Sequence, residues 1–313
     1  MSFKDLWNGR IDSEDGEAGH RWHQRVSFDN KASQGDTVLI GYPNDAGVIA
    51  NKGRPGASGG PNALRQSLAS LPWQLTGNLI DSGDSDIADD LATTQQHFAD
   101  AVDRYLNQGA RVIGLGGGHD IAWGSWQGLK KARPDARIGI INLDAHLDLR
   151  PCDTVTSSGT PFRQIARWCE ANSQPFHYAC LGVSEAANTT ALLDYAKASG
   201  TRVLRDFRFS ADRAATLVSS MLDEIDELYV TVCMDAFPAA SAPGVSAPAA
   251  LGIPASEVVM FLRWLGVEVT NRRINWRLSD IAELNPSFDK DHKTSRLAAR
   301  MGFELARSMP SGT

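Results

Sequence analysis

The chain has 313 residues and a formal net charge of -6, from 37 acidic and 31 basic residues. The charges are spread along the chain and form no basic stripe, so nucleic acid is not an expected partner. No stretch reaches the roughly 18 apolar residues of a membrane span, and residues 1–20 contain no apolar signal segment. The four cysteines show no C-x-x-C spacing. We therefore expect a soluble, cytoplasmic protein that does not bind membranes and is long enough to bury its own core.

The first 35 residues differ from the rest of the chain. Residues 1–35 are polar and acidic, but they contain Trp7, Trp22 and His23. Three large rings in a weakly patterned segment predict an N-terminal arm that packs on the body of the protein. No linker or internal repeat interrupts residues 36–313, which are predicted to form a single domain.

Beyond the arm, short apolar runs alternate with amphipathic segments. The runs predict strands at 37–43, 111–115, 138–143, 176–183, 202–204, 228–234 and 276–282. The segments predict helices at 62–70, 86–107, 121–131, 162–171, 187–199, 210–225, 254–266 and 289–309. This alternation predicts an α/β fold, a three-layer αβα sandwich with a mostly parallel central sheet.

The strand predicted at 138–143 leads directly into Asp144, His146 and Asp148. Alternate side chains of extended backbone share one face, so these three converge if strand geometry continues past the apolar run. Carboxylate and imidazole together suit Mn²⁺, Zn²⁺ or Fe²⁺ better than Ca²⁺ or Mg²⁺. Taken alone, the triplet fits a metal site and a polar surface loop equally well.

Three other predicted strands also end in side chains that bind metals. They lead to His119 with Asp120, to Cys233 with Asp235, and to Glu283. In an open parallel sheet, ligands bind outside the carboxyl ends of the strands. Four such ends favour a metal centre over a chance arrangement of polar residues.

These motifs together resemble the ureohydrolase family, which includes arginases and agmatinases. The resemblance covers residues from about 36 to 305, and its fold is arginase/deacetylase-like. Loops at 53–57, 158–164 and 242–248 are similar to those of the formimidoylglutamase branch. The arm motifs around Trp7 and Trp22 look like the same branch. Residues 36–313 are therefore expected to be the catalytic domain.

The resemblance implies a centre with two Mn²⁺ ions and an amidine substrate. The implied ligands are His119, Asp144, Asp148 and Cys233 for one ion, and Asp144, His146, Cys233 and Asp235 for the other. Glu283 is expected to hold the amidinium group, a role that suits an anionic carboxylate. The implied reaction is hydrolysis of N-formimidoyl-L-glutamate to L-glutamate and formamide, in histidine degradation.

Two positions depart from the family pattern. Cys233 stands where the family usually has a bridging carboxylate, and a thiolate shifts preference from Mn²⁺ toward Zn²⁺ or Fe²⁺. An unligated thiol would instead leave one metal weakly held, so a metal-poor, non-catalytic relative is an alternative. Arginases carry a histidine for proton transfer where Phe162 lies here, which leaves Asp148 or metal-bound water as alternative proton donors.

The loops carry candidate substrate contacts. A planar guanidinium binds a carboxylate through two hydrogen bonds, and the expected substrate has two carboxylates. Arg150, Arg163, Thr160 and Arg54 are therefore predicted to bind substrate, with surface salt bridges as the alternative reading of the arginines. An arginase- or guanidinobutyrase-like hydrolase remains a second candidate, and a zinc deacetylase is disfavoured by the two-metal ligand count. Family members often form trimers or hexamers, which leaves homo-oligomerisation open.

Overall fold

The structure, a computed structural model, describes residues 2–311. Its strands are β1 (Val26–Ser27), β2 (Thr37–Tyr42), β3 (Leu79–Asp84), β4 (Arg111–Gly116), β5 (Ile138–Leu143), β6 (His177–Val183), β7 (Arg202–Arg205), β8 (Glu227–Cys233) and β9 (Asn275–Ala282). Its α-helices are α1 (Trp22–Arg25), α2 (Ala46–Ala50), α3 (Gly60–Ala69), α4 (Leu91–Asn107), α5 (Ile121–Ala132), α6 (Pro161–Ala171), α7 (Thr190–Ala198), α8 (Ala211–Leu222), α9 (Ala255–Arg272) and α10 (Lys293–Ser308). Short 3₁₀ helices span Phe3–Leu6, Ser13–Gly19, Ala57–Gly59, Asp206–Arg208, Met234–Ala236, Pro286–Phe288 and Lys290–His292.

The strands form one sheet in the order β1-β3-β2-β4-β9-β8-β5-β6-β7. Every pair of neighbouring strands is parallel, which confirms the predicted α/β architecture. The four strands that precede the predicted ligands, β4, β9, β8 and β5, are consecutive in this order. The topology therefore brings together side chains that lie far apart in sequence.

Helices cover both faces of the sheet. The core on one face includes Phe98 of α4 and Ile165 of α6. The core on the other face includes Phe261 of α9 and Leu305 of α10. The central strands are buried on both sides, which explains why they are continuous apolar runs rather than alternating ones. Within residues 2–311, no helix combines the length and apolar character needed to cross a membrane.

The sequence analysis missed β3 because that strand is polar. Asp81 in β3 is fully buried, and its carboxylate accepts hydrogen bonds from Arg65 Nε at 2.8 Å and from Trp7 Nε1 at 2.6 Å. These donors offset the cost of burying the charge. Trp7 belongs to the predicted arm, in which Trp22 is also fully buried and β1 pairs with β3.

Several helix ends differ from the prediction by a few residues, and two of the differences have clear local reasons. The helix predicted from residue 86 begins at Leu91, because the Asp90 side chain accepts a hydrogen bond from Thr93 N and caps the helix there. The helix predicted to end at residue 266 continues to Arg272. A Cβ on Gly266 would lie 2.4 Å from the Ser308 carbonyl oxygen, so this glycine permits close packing of α9 on α10.

Candidate active site

The first of two groups of potential metal ligands surrounds His119. Ligand atoms of His119, Asp144 and Cys233 all lie within 4.8 Å of one another. His119 Nδ1 is 2.9 Å from Asp144 Oδ2 and 3.0 Å from Asp148 Oδ2. These four residues are the set that the resemblance implied for one metal ion.

The second group surrounds His146 and shares Asp144 with the first. Ligand atoms of Asp144, His146 and Asp235 lie within 4.8 Å of one another. His146 Nδ1 is 3.1 Å from Asp235 Oδ2 and 3.5 Å from Asp144 Oδ1. Cys233 connects the two groups: it belongs to the first group, and its Sγ donates a hydrogen bond to Asp235 Oδ1 of the second at 2.8 Å. We call the residues of both groups the ligand cluster: His119, Asp144, His146, Asp148, Cys233 and Asp235.

The side chains of the Asp144 segment converge although strand geometry, the condition that the sequence analysis set for this, does not continue past the apolar run. β5 ends at Leu143, and the backbone bends at residues 145 and 146. His146 N donates to Asp144 Oδ1 at 2.7 Å, and Asp148 adopts a left-handed φ of 47°. Local hydrogen bonds and one strained residue therefore aim these side chains.

The contacts of His119 fit a metal ligand. Its Nδ1 faces the Asp144 and Asp148 oxygens but has no well-aligned hydrogen bond to any atom of residues 2–311. Atoms that converge on one point without hydrogen-bond geometry are what a coordinated cation requires. The nitrogen, carboxylate and sulfur donors also form the mixed set that Mn²⁺, Fe²⁺ and Zn²⁺ accept. The residues present therefore fit a binuclear divalent centre.

The electrostatics lead to the same interpretation, because the cluster contains more acids than bases. Burial, with the charge of Asp144, raises the pKa of Asp148 to about 6. Burial, with the charge of Asp235, raises the pKa of Glu283 to about 8. Burial also raises the pKa of the Cys233 thiol well above its usual range. Bound cations would neutralise this excess of buried negative charge.

The histidines respond in the opposite direction. Burial alone would lower the pKa of His119, but the Asp144 and Asp148 carboxylates raise it well above its usual range. The pKa of His146 is raised to about 12, because the Asp235 and Asp144 carboxylates outweigh the effect of burial. Without metal, protonated imidazoles thus stand where cations would bind, and metal binding would release their protons.

Glu283 is held at the end of β9 by backbone contacts. Its Oε1 accepts a hydrogen bond from His119 N at 3.0 Å, and its own N–H donates to the Gly117 carbonyl at 2.8 Å. Its φ is 66°, in the left-handed region. A Cβ on Gly117 would lie 1.9 Å from the Asn44 carbonyl oxygen, so only glycine fits this turn.

The ligand cluster opens into a cavity of about 270 Å³. Its wall is formed partly by strand ends and partly by loops: Asn51, Lys52, Gly53, Arg54, His146, Asp148, Arg150, Ser158, Ala187, Asn188, Leu192, Cys233, Asp235, Ser246, Ala247 and Glu283. A cavity of this size accepts a small molecule and is lined mainly by polar groups.

The four predicted substrate-binding residues are placed differently from one another. Arg150 lies in the cavity wall, is exposed, and pairs with no carboxylate of residues 2–311. Arg54 also lies in the wall, but its Nε donates to the Ser246 carbonyl at 3.0 Å and its Nη2 to the Val245 carbonyl. The guanidinium of Arg54 therefore ties two loops together, which argues against the predicted contact with substrate.

Thr160 and Arg163 are not part of the cavity wall. The Thr160 hydroxyl is buried and bonds to the Ser157 carbonyl and to Gln164, each at 2.9 Å. The Arg163 guanidinium stacks on the Tyr195 ring, 3.2 Å from its centroid. This placement does not support the predicted contact with substrate, which stays a prediction. Both residues stabilise the loop and helix behind the cavity.

The structure adds two residues that the sequence analysis did not single out. Lys52 lies in the cavity wall with a left-handed φ of 62°. Asn188 fixes the bend after β5, because its Oδ1 accepts from Leu147 N at 3.0 Å and its Nδ2 donates to the Ala145 carbonyl at 2.9 Å. No sequence pattern links Asn188 to a segment about forty residues away. Phe162, where arginases carry a histidine, is fully buried against the His119 ring.

The fold and this site are those of a hydrolase of the arginase class, and sequence comparison agrees. A profile of the arginase family matches residues 35–307, so the chain belongs to the arginase family. It is 44% identical to the formimidoylglutamase of Hahella chejuensis (strain KCTC 2396), over 98% of this chain and 95% of that protein.

Solved structures show the same fold. Formimidoylglutamase from Bacillus subtilis superposes with a TM-score of 0.81 at 21% identity, over 97% of each chain. Trypanosoma cruzi formiminoglutamase with Mn²⁺ superposes with a TM-score of 0.75 at 24% identity, over 98% of each chain.

Proposed function

We propose that this protein hydrolyses N-formimidoyl-L-glutamate to L-glutamate and formamide at a binuclear metal centre. The observation that carries the proposal is the pair of ligand groups sharing Asp144 at the floor of a polar cavity. The formimidoylglutamase relative at 44% identity over nearly the whole chain supports this substrate.

The metal centre is proposed to hold two Mn²⁺ ions, the metal bound in the T. cruzi relative. His119, Asp148 and Asp144 would hold one ion, and Asp144, His146 and Asp235 the other, with Cys233 between them. When bound, the ions would acidify a water molecule and polarise the amidine carbon.

The reaction adds water to the formimidoyl carbon and breaks the bond from that carbon to the glutamate nitrogen. Glu283 would orient the substrate, because one carboxylate oxygen accepts the His119 N–H and leaves the other for the amidinium. The metal ligands Asp148 and Asp235 line the same cavity as Glu283. The amidine would therefore lie between the Glu283 carboxylate and the metal positions.

The cavity wall also suits a substrate with two carboxylates. Arg150 and Lys52 both line it, and neither pairs with a carboxylate of residues 2–311. Gly159 holds Arg150 in place, because the Arg150 N–H donates to the Gly159 carbonyl at 2.9 Å. A Cβ on Gly159 would lie 2.8 Å from Arg150 Cδ. We assign Arg150 to one substrate carboxylate and Lys52 to the other.

A substrate panel tests the proposed reaction. The Mn²⁺-loaded protein is assayed with formimidoylglutamate, arginine and guanidinobutyrate, and both formamide and urea are measured. Formamide from the first substrate alone is the expected result. Urea without formamide would favour the arginase- or guanidinobutyrase-like alternative. No product and less than about one metal per chain would favour the non-catalytic alternative.

Cobalt substitution tests the place of Cys233. A coordinated thiolate adds a sulfur-to-cobalt charge-transfer band to the near-ultraviolet spectrum, and a free thiol does not. We expect the band in the wild type and its loss in Cys233→Asp, together with tighter Mn²⁺ binding by the variant, since carboxylate is the harder ligand. A wild-type spectrum without the band would place the thiol outside the metal shell.

We further propose that the protein acts in the cytoplasm. All four cysteines are unpaired in the structure, as is usual where thiols are kept reduced. Assembly into a homo-oligomer stays a prediction.

A further inference from the structure

A chain of buried polar groups runs from His119 into the sheet. His119 Nε2 lies 3.0 Å from the Thr231 hydroxyl. Thr231 on β8 is the register partner of Asp280 on β9. His119 is 1% exposed, and Thr231 and Asp280 are 0% exposed. The chain lies behind the ligand cluster, on the side away from the cavity.

Asp280 is a carboxylate surrounded by hydroxyl groups. Ser125 Oγ and Tyr229 OH each donate to its Oδ2 at 2.5 Å. Burial raises the pKa of Asp280, and the neighbouring Ser125, Thr231 and Tyr229 hydroxyls oppose this shift, as does the charge of His119. No lysine or arginine of residues 2–311 forms a salt bridge with it. In the metal-free protein, the positive charge that acts on Asp280 is therefore that of the protonated His119 imidazole.

The direction of the hydrogen bonds follows from the chemistry of these groups. Asp280 Oδ1 is buried and has no hydrogen-bond partner in residues 2–311. An ionised carboxylate only accepts, so Asp280 favours the orientation of the neighbouring Thr231 hydroxyl in which its hydrogen points toward Oδ1. The Thr231 oxygen then offers its lone pairs to the N–H of His119 Nε2. When a metal ion replaces the second imidazole proton, the lone pair of Nδ1 points toward the ion, between Asp144 and Asp148. This tautomer is the one that binds a metal through Nδ1.

We propose that Asp280, acting through Thr231, is a positioning residue that fixes the tautomer and orientation of His119 as a metal ligand. The inference rests on the metal centre of the proposed function and concerns only the group around His119. His146 is partly exposed and makes no contact with this chain. Loss of the contacts among His119, Thr231 and Asp280 should therefore weaken one of the two metal-binding events and leave the other unchanged.

Metal titration of chelator-stripped protein tests the proposal without an activity assay. Thr231→Val keeps the side-chain shape but removes the hydroxyl, and it should weaken one binding event by about 10- to 100-fold. Asp280→Asn should do the same, because an amide can donate and so reverse the bond direction. Thr231→Ser should restore the wild-type affinity.

Ser125→Ala is the matched control. It removes a hydroxyl from the same carboxylate without contacting His119, so both metal affinities should remain those of the wild type while stability falls. Thermal unfolding of each metal-free variant separates lost affinity from lost folding. Equal affinities in the wild type, Thr231→Val and Asp280→Asn would overturn the positioning role, whereas a wild type that binds no metal would overturn the metal centre itself.

The tautomer can also be read directly. In ¹⁵N-histidine-labelled protein loaded with diamagnetic Zn²⁺, the two-bond couplings of His119 should show hydrogen on Nε2 in the wild type. Thr231→Val should broaden or shift that signal, and the His146 signal should not change. A wild-type His119 with hydrogen on Nδ1 would contradict the inferred hydrogen-bond direction.

Discussion

The two walls of the cavity are built in different ways. One wall is formed by the ligand cluster and Glu283, at the ends of four strands that lie side by side in the sheet. The other wall consists of loops that carry Lys52, Arg54 and Arg150. The hydrogen-bonded ladder of the sheet places the backbone of the ligand wall, and local contacts such as those of Asn188 aim its side chains. The loop wall has no such ladder and depends on individual contacts alone.

The walls also differ in burial and therefore in what a substitution does. Asp144 is fully buried among charged groups, so its loss changes the electrostatics of the whole centre. Arg150 is exposed, where each interaction contributes less free energy. We expect changes at strand ends to abolish metal binding or turnover, and changes in the loops to tune substrate choice or loop stability.

The largest effect is expected for Asp144→Ala, since Asp144 belongs to both ligand groups. Metal analysis should find neither ion, and turnover should fall further than the ~10- to 100-fold cost of losing an outer partner. Asp120→Asn is the control: Asp120 is a buried aspartate that follows β4, as Asp144 follows β5, but its carboxylate accepts from Tyr42 OH at 2.6 Å instead of joining the cluster. An Asp144→Ala protein that still binds two metal ions would contradict the proposed difference between the two walls.

Glu283→Gln should come next. The amide oxygen can still accept the His119 N–H, so metal content should stay at the wild-type level. Loss of a charge-assisted hydrogen bond to the amidinium costs about 1.5–3 kcal/mol, which corresponds to a roughly 10- to 100-fold fall in kcat/KM. Steady-state kinetics alongside metal analysis measure both quantities. Unchanged kcat/KM at full metal content would remove Glu283 from the catalytic residues.

Arg150→Met tests the loop wall. KM for formimidoylglutamate should rise by about tenfold or more, the cost of one charged hydrogen bond, whereas KM for an uncharged amidine should change little. Arg163→Met is the matched control, because Arg163 stacks on Tyr195 outside the cavity wall. Equal effects of the two variants would show that loop arginines act through general charge and not through position.

The smallest effect on catalysis is expected for Arg54→Met. The variant loses the hydrogen bonds to the Ser246 and Val245 carbonyls, which should lower the free energy of unfolding by about 1–3 kcal/mol. Urea unfolding measures this change, with exposed Arg273→Met as the control. A large rise in KM without a loss of stability would instead support the original prediction that Arg54 binds substrate.

The contrast between the walls also explains what could be predicted from the sequence. Apolar runs identify the strands, and parallel topology places their carboxyl ends together, so His119, Asp144, Asp235 and Glu283 could be grouped without a structure. The bend after β5 could not be predicted, because it depends on Asn188, which follows a different strand. The polar strand β3 was missed for a similar reason, since its buried Asp81 is paired with Arg65 and Trp7.

Side-chain direction in loops was the least predictable feature. Arg54, Arg150 and Arg163 looked equivalent in sequence, but one ties two loops together, one lines the cavity, and one stacks on a ring. Lys52 reaches the cavity through a left-handed backbone conformation that no local motif signals. Such differences arise from contacts between segments distant in sequence.

The central claim is that the strand ends hold two metal ions on either side of Asp144. Anomalous X-ray diffraction from crystals grown with Mn²⁺ tests it most directly. The account predicts two anomalous peaks per chain, one beside His119 and one beside His146, with Asp144 between them. A single peak away from Asp144, or none in the ligand cluster, would contradict it.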